Sequence, residues 1–178
     1  LREAIFLMQV GYPDIDLKLS VPDRPVVGKF DERLIAQVIT NLVKNAAESV
    51  AAADLGDEKG RIDVVAQLAE GQLTIDIVDN GIGLPLENRQ LLLEPYMTTR
   101  EKGTGLGLAI VKKIVEEHDG TIELLDAPAV ATGGHGALIR LTFPELDRSK
   151  SDGFDPQSES PDRAASRRAG ADLAPVAE

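Results

Sequence analysis

The sequence predicts an α/β fold, a two-layer sandwich in which a mixed sheet of about five strands carries three helices on one face. Two observations predict it. Five segments, 15–21, 61–68, 73–78, 121–125 and 137–143, have the apolar content and alternation of strands. Three others, 1–10, 31–52 and 105–118, have the composition and spacing of helices and are interleaved with the strands.

The opening helix ends at Gly11-Tyr12-Pro13-Asp14 and begins without an initiator methionine, so residues 1–13 read as the end of a linker cut from a larger protein. Strand 15–21 then leads to the turn Pro22-Asp23-Arg24-Pro25. Asp31 is placed to cap the long helix, with Phe30 and Ile35 spaced as a hydrophobic staple. Its core stripe is Leu34, Val38, Leu42 and Ala46, while Gln37, Asn41, Asn45 and Glu48 make a polar stripe along one edge. Strands 61–68 and 73–78 form a hairpin turned at Glu70-Gly71. Residues 84–102 show few periodic signals. In the last helix Lys112, Lys113, Glu116 and Glu117 form a solvated face. His118, at its C-terminal end, reads as a structural, partly charged imidazole favoured by the helix dipole, and His135 lies in a turn.

Composition narrows the possible functions. The 178 residues hold no cysteine and two histidines, which leaves neither a disulfide framework nor a zinc cluster. The net charge of -11 argues against a nucleic-acid groove, so an anionic ligand must be held by local groups. No apolar run approaches the roughly 20 residues of a membrane span, and the chain is expected to be soluble. From Asp147 onward apolar residues thin out, and 147–178 reads as a disordered tail.

Two glycine-rich stretches carry the chemistry. Alternation along Leu73 to Asp79 puts the Asp79 carboxylate on the buried face, where it needs hydrogen-bond donors such as the exocyclic amine of an adenine. Gly81 and Gly83, flanking Ile82, let the backbone turn and approach a flat ring. The plainer reading of this run is a turn after a strand. The second stretch is Gly103-Thr104-Gly105-Leu106-Gly107-Leu108. Thr104 is placed to cap a helix from Gly105 to His118 with Ile110, Val111, Ile114 and Val115 as its apolar face, and such a glycine-rich helix start accommodates a phosphate. Together the two stretches read as a nucleotide pocket.

A third motif lies upstream, Asn41-Leu42-Val43-Lys44-Asn45-Ala46-Ala47-Glu48. The three in this order resemble the N box and two G boxes of the catalytic ATP-binding domain of bacterial two-component sensor histidine kinases, members of the GHKL superfamily with a Bergerat-type fold. The resemblance spans roughly 14–144, within an assigned domain of 14–146, and EPYMTTREKGTGLGLAIVKKIVEEHDG is most similar to nitrogen-regulation kinases of the NtrY type. It implies Mg²⁺ and ATP as cofactors, with Asn45 giving an oxygen to the metal and Asn41 lying near the phosphates. Many such kinases have lysine where this chain has Glu48, so a phosphate contact does not carry over and Glu48 faces metal or solvent. Residues 84–102 become the ATP lid. Tyr96 stands for the usual phenylalanine of the F box, with Thr99 beside it, and Arg100 and Lys102 are candidate phosphate contacts. The catalytic set is Asn41, Asn45 and Arg100.

The resemblance also implies partners: a dimerisation hairpin of the same protein that carries the acceptor histidine, and a response regulator. Neither His118 nor His135 lies in such a hairpin. The isolated domain is then a monomer, and the intact protein a cytoplasmic kinase anchored at the inner membrane as a homodimer. Three alternatives stand beside this one. ATPase clamps of the same superfamily carry a glutamate where this chain has Asn41, and an amide is no general base. Serine kinases of the anti-sigma type share the boxes. A non-catalytic ATP sensor would share them too.

Overall fold

The computed structural model describes residues 1–23, 26, 30–97, 104–128 and 135–144. The tail from 147 lies outside the described residues, as do Thr99, Arg100, Lys102 and Gly103. Elements follow in the order α1 (Arg2–Gly11), β1 (Asp16–Ser20), α2 (Glu32–Ala51), β2 (Arg61–Ala69), β3 (Gln72–Asp79), α3 (Gly107–Glu117), β4 (Thr121–Asp126) and β5 (Ala137–Phe143), with a short 3-10 helix at Arg89–Leu93.

The five strands form one mixed sheet in the order β1-β2-β3-β5-β4. β1 pairs parallel with β2, and the remaining pairs are antiparallel. A parallel pair needs a long crossover, and α2 supplies it. The hairpin between β2 and β3 turns at Glu70 (φ 52°) and Gly71 (φ 79°), two left-handed residues whose twist matches that of the strands.

Alternation then assigns the two faces of the sheet. Ile62, Val64 and Ala66 of β2, Leu73, Ile75 and Ile77 of β3, and Leu141 and Phe143 of β5 are buried beneath the helices. On the other face Asp76 and Arg140, directly opposite in register, make two hydrogen bonds of 2.8 Å. Those bonds, and then the Asp76 charge, raise the Arg140 pKa above its ordinary value. A raised folded-state pKa stabilises below the unfolded value and is lost only as pH rises through the folded one, so this clamp does not titrate at Arg140 near neutrality.

Helix α2 is the centre of the core. Val38, Ile39, Leu42, Val43, Ala46, Ala47 and Val50 are buried, a stripe wider than the expected one because α3 flanks α2 while the sheet lies beneath it. Leu34, expected in the core, is only half-buried, since it lies in the first turn. Asp31 caps the helix as expected, its side chain accepting from the Leu34 amide at 3.0 Å. Phe30 stacks with His118 at 6.0 Å and meets Phe143 edge-on at 5.2 Å. It closes the core between α2, α3 and β5.

His118 has the structural part expected of it. Its Nε2 accepts from the Asp31 backbone amide at 3.1 Å, so that nitrogen carries no proton, and Nδ1 donates to the Ile114 carbonyl at 2.7 Å. The ring acts as a clip between α2 and α3.

The 3-10 helix was unexpected, because a five-residue element shows no helical period. Leu93 is buried, Arg89 pairs with Asp126 at 2.5 Å, and Glu94 pairs with Lys112 at 3.1 Å. These contacts fix residues 89–94 against β4 and α3.

Candidate functional site

A cleft of about 630 Å³ opens between α2 and α3, within the size range of small-molecule sites. One wall is the polar edge of α2, with Gln37, Asn41, Lys44, Asn45 and Glu48. This is the predicted stripe, with Lys44 added. Ala137 and Ile139 of β5 contribute apolar surface, and Leu84, Pro85, Leu92 and Met97 line the side toward the lid.

Asp79 ends β3 inside the cleft, 4% exposed. Its Oδ1 accepts from the Ser49 hydroxyl at 3.1 Å and from the Gly81 amide at 2.9 Å. Sequence reasoning missed Ser49. In a helix alone it looks like one more exposed polar residue, but it falls on the buried side of α2 opposite the end of β3. Both donors favour the ionised carboxylate and hold it in one orientation. Asn80 turns away: its amide bonds the Arg61 amide nitrogen at 2.7 Å and the Lys59 carbonyl at 3.0 Å, locking the start of β2.

The expectation for Gly81 is corrected. The backbone it approaches is that of α2, not open space for a ring. A β-carbon there would lie 2.6 Å from the Ser49 carbonyl oxygen, and the adjacent Ile82 amide bonds that oxygen at 3.3 Å. Ile82 and Gly83 do line the cleft.

The second glycine-rich stretch also differs from expectation. Helix α3 begins at Gly107, with Leu106 as its N-cap and no side-chain cap bond, so Thr104 does not cap it. Gly105, at φ 65°, spends the preceding residues on a left-handed turn. There it touches the lid root: a β-carbon would lie 2.8 Å from the Met97 nitrogen, and the Gly105 carbonyl accepts from the Tyr96 amide at 3.0 Å. With the helix start moved, Ile110 is 37% exposed and lines the cleft, while Val111, Ile114 and Val115 are buried.

Thr104, Gly105, Leu106, Gly107 and Leu108 all line the cleft, and Gly107 faces Asn45, whose amide nitrogen is 3.8 Å from where a β-carbon would sit. That amide stands beside the start of α3, where the first backbone N–H groups have no intrahelical acceptor. Tyr96 does not line the cleft. At φ 65° its backbone turns the ring outward, 78% exposed, and Met97 takes the lining position.

The arrangement has two chemically different ends. One offers a buried, oriented carboxylate beside apolar surface, suited to a flat ligand with an N–H donor. The other offers helix-start amides, carboxamides and the Lys44 ammonium, suited to an anion. Among the described residues no group of three or more histidine, cysteine, aspartate or glutamate side chains could hold a metal. The Asn45 amide oxygen is a hard donor of the kind that Mg²⁺ takes together with water and a ligand's own oxygens. No helix of the described residues is long and apolar enough to cross a membrane.

Residues 30–147 match the family described as "Histidine kinase-, DNA gyrase B-, and HSP90-like ATPase". The chain is 54% identical over 145 residues to the nitrogen regulation protein NtrY of Azorhizobium caulinodans, covering 80% of this chain and 18% of that protein. It is 41% identical over 113 residues to a putative sensor histidine kinase NtrY-like of Rickettsia typhi, covering 64% of this chain and 17% of that protein. The chain thus spans under a fifth of the length of these relatives. Among solved structures, the mycobacterial sensor histidine kinase MprB superposes with TM-score 0.69 at 25% identity, covering 82% of this chain and 93% of that one. The nucleotide-free catalytic domain of histidine kinase ThkA gives 0.67 at 27% identity, over 81% and 90%. The chain belongs to the family of histidine kinase-, DNA gyrase B- and HSP90-like ATPases, and over most of its length it is similar to sensor histidine kinases of the NtrY kind.

Proposed function

We propose that this chain binds Mg-ATP in the α2–α3 cleft and donates the γ-phosphoryl group to a histidine on a dimerisation hairpin of the same protein. The observation that carries the ATP assignment is the Asp79 carboxylate, held by Ser49 and Gly81 at the apolar end of the cleft. An adenine amine is the donor that such a carboxylate would take, with the purine against Ile139 and Met97. The triphosphate then runs toward Asn41, Asn45 and the start of α3.

Phosphoryl transfer asks mainly for positioning and charge stabilisation. When bound, Mg²⁺ neutralises phosphate charge. Asn45 would hold it through the amide oxygen, with Gly107 leaving that side open. The bond from the γ-phosphorus to the β–γ bridging oxygen breaks, a bond to the acceptor imidazole nitrogen forms, and ADP leaves. Asn41 carries an amide where a hydrolase would need a base, which favours transfer to histidine over attack by water. Arg100 and Lys102 are lid contacts in this reading, and Glu48 faces metal or solvent.

The acceptor histidine would pass its phosphoryl group to a response regulator in nitrogen-related signalling, with the intact kinase a homodimer anchored at the inner membrane. The fragment lies on the cytoplasmic side. Domain limits of 14–146 belong to the same proposal. The test mixes this chain, Mg²⁺ and γ-labelled ATP with the helical hairpin encoded upstream. Acid-labile, base-stable label on the hairpin is the expected result. ATP binding without transfer, in a tethered form as well, would refute phosphoryl donation.

A further inference from the structure

Mg-ATP brings net negative charge to the cleft. Among the described residues lining the cleft, the charged side chains are Lys44, Glu48 and Asp79. Asp79 is held by Ser49 and Gly81, which leaves Lys44 as the cation among the described lining residues.

Lys44 lies three residues after Asn41 and four before Glu48, so it neighbours both on the helix surface. Its Nζ is 4.0 Å from Glu48 Oε1, and the two side chains are 60% and 39% exposed. An ion pair so long and so wet is weak and is broken at little cost. The flexible four-carbon stem lets the ammonium swing from the carboxylate to any stronger anion within reach.

We propose that Lys44 binds the nucleotide phosphates, and that Glu48 is the carboxylate it leaves to do so. This rests on the ATP reading of the cleft and gives a role to Lys44, a residue of the third motif that had none. Glu48 opposes binding by competing for Lys44. Its carboxylate sets affinity through Lys44, as a positioning residue.

Calorimetric titration with ATP and with adenosine, both in Mg²⁺ at fixed ionic strength, tests the proposal. Lys44→Met is expected to weaken ATP binding about tenfold and to leave adenosine within about twofold, while Lys44→Arg keeps most of the ATP affinity. Equal losses for both ligands, or no loss for either, would overturn the phosphate contact. Glu48→Gln is expected to tighten ATP binding a few-fold, and by less in a Lys44→Met background. An equal gain in both backgrounds would refute the exchange. Thermal melting of each variant separates binding loss from unfolding. A folded wild-type chain that binds adenosine as tightly as ATP overturns the Lys44 contact alone; one that binds neither overturns the ATP reading and this inference with it.

Discussion

Gly81 and Gly107 belong to two glycine-rich stretches that look alike in sequence, yet they use the missing side chain differently. At Gly81 the space is filled by the backbone of α2, and a β-carbon would lie 2.6 Å from the Ser49 carbonyl oxygen. At Gly107 the nearest atom is an Asn45 amide at 3.8 Å, across the cleft. The first glycine lets two elements touch. The second keeps them apart. A glycine-rich motif therefore marks a site without implying that each glycine meets the ligand.

The largest expected effect breaks the first use. Gly81→Ala should destabilise the fold by about 3 kcal/mol or more in denaturant unfolding, because the clash is with backbone that has no rotamer to yield. Next is the residue that Gly81 orients. Asp79→Ala should cost ATP about 1.5–3 kcal/mol, ten- to hundredfold in affinity, and an unchanged dissociation constant would sink the adenine assignment. Asn45→Ala should weaken binding in Mg²⁺ about tenfold and much less in EDTA, whereas equal losses in both buffers would remove it as a metal ligand. The smallest effect on the fold should come from Gly107→Ala, which meets an ordinary contact and helix propensity that stabilises by up to about 1 kcal/mol. If its melting temperature holds or rises while ATP affinity falls, the contrast between the two glycines stands.

What was legible in the sequence was what local rules decide. Asp31 caps α2, Glu70-Gly71 turns the hairpin, and Asp79 falls on the buried face, because each depends on spacing within a few residues. The polar edge from Gln37 to Glu48 was readable for the same reason. What failed depended on a distant neighbour. Thr104 looked like a cap until Gly105 was seen pressed against Tyr96 and Met97, which moves the helix start to Gly107. Tyr96 stands in the F-box position, but its left-handed backbone gives the lining place to Met97. Ser49 was invisible because its partner, Asp79, is thirty residues away.

The His118 clip has a mechanical consequence. Helices α2 and α3 run past each other in opposite senses, joined at Asp31 and His118 by that ring, while Asn45 and Gly107 face each other at the other end. Eleven residues of α3 separate the two places, about 16 Å of lever arm. A pair of rods pinned at one end gapes at the other, so small rotations about the ring become the largest displacements at the mouth. Amide exchange would register this as slow exchange at Asp31 and faster, nucleotide-sensitive exchange at Gly107, and uniform rates along both helices would mean that the ring is no pivot.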